Sequence, residues 1–219
     1  MTPVFILLFL TTCFAANMKT YSAGEYIISP FDYGYKLNII VELWGAGGSV
    51  YNQTSNQVNM CAGSGAYIKS SVPTYLSSFK LTVGRAINEN TICNGKSSSF
   101  TGKSINLTVG GGYGRCGDCQ ISKKCGYGGD ILSMNGTNEI LYFTGQDSQA
   151  SYYSIYSSYV CTGGNAPSGG VGGCRGGVSP SLCRKYNGTQ PGGGSGWFSS
   201  SYAPFGFAYG GDGAAIMYY

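Results

Sequence analysis

The stretch Tyr35-Lys36-Leu37-Asn38-Ile39-Ile40-Val41-Glu42-Leu43-Trp44-Gly45-Ala46-Gly47-Gly48 decides the fold. Leu37, Ile39, Val41 and Leu43 alternate with Lys36, Asn38, Ile40 and Glu42. A period of two sends successive side chains to opposite faces of an extended chain, so this run predicts a strand with one buried face. The glycines after Trp44 end it. The same pattern recurs along the chain. Tyr67–Val72 is a run closed by Pro73. Phe79, Leu81 and Val83 alternate with Lys80 and Thr82, and Ile105, Leu107 and Val109 alternate with Asn106 and Thr108. Glu139–Phe143 and Ala214–Tyr219 complete the set. Helical spacing occurs in one stretch, with Tyr152, Ile155, Tyr156, Tyr159 and Val160 at i, i+3, i+4, i+7 and i+8. Its remaining residues are mostly Ser, a weak helix former like Tyr, which favours loop or strand there. Short strands divided by turn residues predict an all-β chain, an antiparallel β-sandwich of jelly-roll type.

Glycine supplies 37 of the 219 residues, more than twice the usual ~7%. Of these, 27 lie from Asn106 onward, and the densest piece is 161–177. A flexible linker is one reading of such segments. The other is packed polyglycine-II, a threefold extended helix whose bare edges let main chains approach closely. Gly170, Gly173 and Gly176 recur every third residue, and cysteines sit inside the same stretches, which favours packing. Collagen is excluded because no Gly-X-Y register persists.

Composition narrows the chemistry. Histidine is absent, which excludes a His base, a Ser-His-Asp triad and a His metal ligand. Charged residues are 10% of the chain, net charge is +4, and basic residues never run past two, so no nucleic-acid stripe exists. Gly112–Gly117 matches G-x-G-x-x-G, yet Asp118, Cys119 and more glycine follow where a helix must begin. Gly95-Lys96-Ser97 and Gly102-Lys103-Ser104 lack the earlier glycine of a phosphate loop. Cys116-Gly-Asp-Cys119 has no second C-x-x-C to complete a zinc site, so structural bridging is the better reading. Nine carboxylates remain, and no pair among them is nominated for acid–base work. No cofactor or metal is expected. Trp197, Phe198, Tyr202 and Phe205 lie in glycine-rich surroundings and are candidate contact residues for a glycan or protein.

The quoted run resembles the opening of glycine-rich domains in phage tail-fibre and bacterial surface proteins, and that of the anaplastic lymphoma kinase ectodomain. Gly63-Ser-Gly-Ala-Tyr67, Leu81-Thr-Val-Gly84, Gly95-Lys-Ser-Ser-Ser-Phe100 and Gly210-Gly-Asp-Gly-Ala-Ala-Ile-Met-Tyr218 extend the resemblance to nearly all of residues 26–219. It implies a β-sandwich whose long connections carry polyglycine-II helices, in a domain that assembles, adheres or recognises receptors. No binding residue is carried over.

Residues 1–15 read as a signal peptide, with an apolar run Val4–Leu10 and small residues at Cys13 and Ala15. Residues 16–219 then form one domain, its glycine- and cysteine-rich part spanning 110–213. The run is too short to span a bilayer, and no later one is long enough. Eight cysteines follow: Cys61, Cys93, Cys116, Cys119, Cys125, Cys161, Cys174 and Cys183. An even number in an exported chain predicts four disulfides, whose pairing the spacing leaves open, sequential Cys61–Cys93 being one choice. Acceptor sequons stand at Asn52, Asn106, Asn135 and Asn187. These features together predict a secreted, non-enzymatic structural or adhesive glycoprotein, a subunit of an extracellular coat, wall or filament. Its partners are further copies of itself, other matrix or surface proteins, or glycans. A glycan- or receptor-binding module is the alternative, and a hydrolase the weakest reading. Intact mass before and after reduction tests the cysteine reading: the mature chain gains eight hydrogens.

Overall fold

The computed structural model describes residues 17–51, 61–87, 93–116, 126–153, 158–173, 187–196 and 207–219. Two antiparallel five-stranded sheets face each other. The first has the order β1 (Met18–Tyr21), β15 (Ala214–Tyr218), β3 (Asn38–Trp44), β5 (Tyr67–Pro73), β11 (Glu139–Phe143). The second runs β10 (Ile131–Asn135), β8 (Ile105–Val109), β7 (Ser98–Gly102), β6 (Phe79–Val83), β2 (Gly24–Ile28). This is the antiparallel β-sandwich that the alternation predicts. Small sheets pair β12 (Gln149–Tyr153) with β13 (Ser158–Thr162), and β4 (Val50–Tyr51) with β9 (Arg115–Cys116) and β14 (Phe207–Ala208). Of the helical spacing, Tyr152 falls on one strand and Tyr159 and Val160 on another, with Tyr152 opposite Tyr159, while Ile155 and Tyr156 lie outside the described residues.

Alternation sets the core. Ile39, Val41 and Leu43 of β3 meet Phe79, Leu81, Phe100 and Leu107 of the second sheet, all at most 2% exposed. Phe79 and Phe100 stack with ring centroids 4.7 Å apart. Tyr33, on a 3-10 turn over Pro30–Tyr33, is fully buried and donates its hydroxyl to the Ser77 carbonyl at 2.8 Å.

Beyond one end of the sandwich the strands continue as glycine-rich segments, and their hydrogen bonds follow a rule. Gly45 and Gly48 donate to Ala66 and Gly63; Ala46 and Ser49 donate to Lys96 and Cys93; Gly47 donates to Gly211. Each amide turns to a different neighbour and returns to the same one three residues on. Residues 62–66 repeat this. Ala62 and Gly65 donate to Ser195 and Gly192, Gly63 and Ala66 to Tyr113 and Gly110, and Ser64 to Gln146. All ten bonds measure 2.7–3.1 Å. This is the threefold periodicity of polyglycine-II. Donor numbers rise as acceptor numbers fall, so these neighbours are antiparallel, whereas Gly170 and Gly173 reach Pro191 and Gly194, a parallel pair. Glycine is demanded by the spacing: a Cβ on Gly65 would overlap the Gly45 carbonyl, and one on Gly63 the Tyr127 carbonyl. The described parts of 161–196 are thus packed, not linker. The hub, however, is the glycine-poorer first half, since 45–49 and 62–66 sit among the other segments.

Strands of both sheets feed this bundle, β3 through 45–49, β8 through 110–114 and β15 from 209–213. Ser98 locks the junction, donating its hydroxyl to the Trp44 carbonyl at 2.6 Å while accepting the Gly84 amide at 2.8 Å. Gly65→Ala is expected to lower stability by about 3 kcal/mol or more in urea titration, because rigid backbone cannot yield. Gly34→Ala, at φ 59 with open space for a Cβ, should cost only about 1–2 kcal/mol.

Candidate functional site

The two outward faces of the sandwich differ in chemistry. On the second sheet, the rows across β2, β6, β7, β8 and β10 read Ile27, Lys80, Thr101, Asn106, Asn135 and Glu25, Thr82, Ser99, Thr108, Ser133. Nine of these ten are polar. Two sequon asparagines, Asn106 and Asn135, are register partners here, both exposed. Asn106 lies opposite the apolar face of its strand, as its alternation predicts, and its Oδ1 accepts the Thr108 hydroxyl at 3.0 Å. Asn187 is also exposed, its Oδ1 accepting the Tyr209 amide at 2.9 Å. A glycan uses Nδ2, so neither bond competes with one.

The outward face of the first sheet carries an apolar field around one charged cluster. Ile40, Glu42 and Trp44 of β3 lie beside Ser71, Lys69 and Tyr67 of β5, with Tyr218, Ile216 and Ala214 of β15 on one flank and Leu141 and Phe143 of β11 on the other. Glu42 is only 7% exposed. Such a burial is tolerable only with partners. Lys69 Nζ stands 2.8 Å from Glu42 Oε1, and the Tyr67 hydroxyl donates to Oε2 at 3.1 Å. The ammonium also lies over the Tyr218 ring, 5.5 Å from its centroid. Trp44 packs on Tyr67 and donates Nε1–H to the Pro167 carbonyl at 2.8 Å, which fastens the 163–173 segment across the bundle end of this face. Towards the other end Met18 and Ile40 stay exposed, as do Leu141 in the row of Glu42 and Phe143 in the row of Trp44 and Tyr67. A groove of about 330 Å³ opens there, lined by Ile40, Lys69, Ser70, Ser71, Ile140 and Leu141.

Four other described carboxylates make contacts that hold the fold. Asp32 accepts the Ser29 amide and hydroxyl, Asp147 the Gly128 amide and Asp212 the Ala86 amide. Glu25 pairs with Lys80 at 3.2 Å. Among the described residues, no group of three or more Cys, Asp or Glu could hold a metal ion. No described helix is long and apolar enough to cross a membrane.

Cys61 and Cys93 are buried, 3% exposed each. The Cys61 carbonyl lies against Gly126 and the Cys93 carbonyl against Gly114. Cys116 belongs to β9 and Cys161 to β13 by their backbones. Cys119, Cys125, Cys174, Cys183, Asn52, Trp197, Phe198, Tyr202 and Phe205 lie outside the described residues. The apolar outward field is not among the candidate residues named from sequence. Its signal is present in Ile40 and Leu141, outward positions of strands where polar residues are the rule. No protein-family model matches the chain, and no curated protein matches it.

Burial and the Glu42 carboxylate push the Tyr67 phenol far above its ordinary value near 10, and Glu42 raises the Lys69 ammonium by accepting its proton in a hydrogen bond. Both shifts are upward, so the stabilisation is fully present below the unfolded values near 10 and is lost as pH rises through the folded ones. Stability should therefore fall above about pH 10. Burial and Glu42 raise the Tyr218 phenol as well, so in a spectrophotometric tyrosine titration Glu42→Gln is expected to move two late-ionising phenols to lower pH; an unchanged curve would remove the carboxylate as a cause.

Proposed function

We propose that this chain is an exported, non-enzymatic structural or adhesive glycoprotein that associates with itself in an extracellular coat, wall or filament. The observation that carries this is the contrast between the faces of the sandwich. One is polar and presents Asn106 and Asn135 to solvent; the other presents Ile40, Leu141, Phe143 and Met18, each at least 40% exposed. Sugar on the first face would keep it wet and leave the second for contact. The buried positions of Cys61 and Cys93 suit cystine bridges, which form outside the reducing cytosol. A rigid bundle suits a load-bearing subunit, and the resemblance of the 35–48 run to adhesive glycine-rich domains supports the same reading.

A second reading is a glycan-binding module. Phe143, 46% exposed on the same outward face as Lys69 and Leu141 of the groove, offers a ring of the kind that stacks on sugars. Sedimentation and negative-stain microscopy of the secreted protein separate the two. Assemblies that grow with concentration are expected. Strictly monomeric protein at about 100 μM, together with a positive glycan array, would overturn assembly in favour of the lectin; typical subunit contacts saturate well below that concentration.

A further inference from the structure

Four strands end the two sheets, and three are guarded against pairing. β1 carries Lys19 opposite core residue Met217, held to Asp32 at 3.1 Å. β2 carries Glu25, paired with Lys80. β10 shifts register between Ile131 and Ser133, a bulge that interrupts the ladder, and bears the Asn135 sequon. Charges, bulges and inward lysines are the ordinary ways in which a sheet edge is kept from joining another chain. β11 has none of them at its centre. Glu139-Ile140-Leu141-Tyr142-Phe143 keeps unbroken register with β5, and among the described residues no strand pairs with its outer side.

Its side chains are exposed on both faces. Leu141 and Phe143 fall on the outward face, opposite Lys69 and Tyr67, and are 51% and 46% exposed. Ile140 and Tyr142 fall on the inward face, opposite Ser70 and Ile68, yet are 37% and 50% exposed. The core is therefore open along this edge. An occupant must be an extended strand, because the edge offers backbone groups, and it must be apolar on both faces. β11 meets both demands itself.

We propose that β11 pairs antiparallel with β11 of a second copy, across a two-fold axis at Leu141, joining two five-stranded sheets into one of ten. The inference rests on the self-association reading above and assigns its surface. Charge placement selects the two-fold: antiparallel pairing sends the two Glu139 residues to opposite ends, whereas parallel pairing in register would set them side by side. Ile140 then faces Tyr142 of the second copy, an aliphatic–aromatic cross-strand pair. The same axis sets Phe143 of the second copy in the row of Glu139, Ser71 and Ile40. That row borders the groove of about 330 Å³ lined by Ile40 and Ser71, so each copy brings an aromatic ring to the edge of the other's groove. Lys69 lines it with its charge already met by Glu42, so no unpaired cation opposes the approach.

The test uses the secreted mature chain. Sedimentation equilibrium of the wild type should give a dimer or a larger even assembly. Leu141→Lys, at a half-exposed edge position, should weaken it at least about tenfold while leaving the circular dichroism unchanged. Leu141→Cys should trap a covalent dimer on a non-reducing gel, since residues on the axis stand about 4.5–5.5 Å apart between Cα atoms. It also serves if Leu141→Lys misfolds. An assembly that persists undiminished in Leu141→Lys, with no trapped dimer in Leu141→Cys, overturns this surface and leaves self-association standing. A wild type that stays monomeric overturns both.

Discussion

Main chains in this protein approach one another until only hydrogen fits at the α-carbon, and the rest of the architecture depends on that contact. A polyglycine-II segment points its amides in three directions and its carbonyls in three more, so it binds more neighbours than the two of a strand: residues 45–49 donate to 63–66, 93–96 and Gly211 and accept from Gly112 and Ser195. Buried amides left unpaired would cost about 1–3 kcal/mol each. The cycle Gly45 to Ala66, Ala46 to Lys96, Gly47 to Gly211 leaves none of these unpaired. Ordering glycine is entropically expensive, and this dense bonding is what offsets it.

Because strands of both sheets run into the same bundle, the sheets are joined at that end by backbone. The Ser98 bridge between the end of β3 and Gly84 is the local form of that joint. Between the sheets the joint is made by side chains, in the apolar core of Ile39, Val41, Phe79 and Phe100.

The outward face of the first sheet shows how a charge is kept in an apolar field. Glu42 is nearly buried, yet Lys69 and Tyr67 satisfy both its oxygens and Tyr218 covers the ammonium. The cluster is neutral in sum, which suits a surface meant for contact better than a lone carboxylate would.

Much of the sandwich was legible in the residues. Phe79–Val83 and Ile105–Val109 are strands over the spans that their alternation marks, since a one-residue slip would expose each apolar set, and Glu139–Phe143 is the strand that its apolar run marks. β1, β2, β7 and β10 were not legible: Ser98-Ser-Phe-Thr-Gly102 has one large apolar residue, and it becomes a strand only because β6 and β8 flank it. Sequence alone also determined that glycine was too abundant for an ordinary core. Only the tertiary structure decided which glycines form the hub, because a threefold segment needs neighbours on every side and composition does not say who they are. The apolar field has the same origin. Whether Ile40 or Leu141 faces core or solvent depends on what the opposite sheet covers, a property of two sheets together and of neither strand by itself.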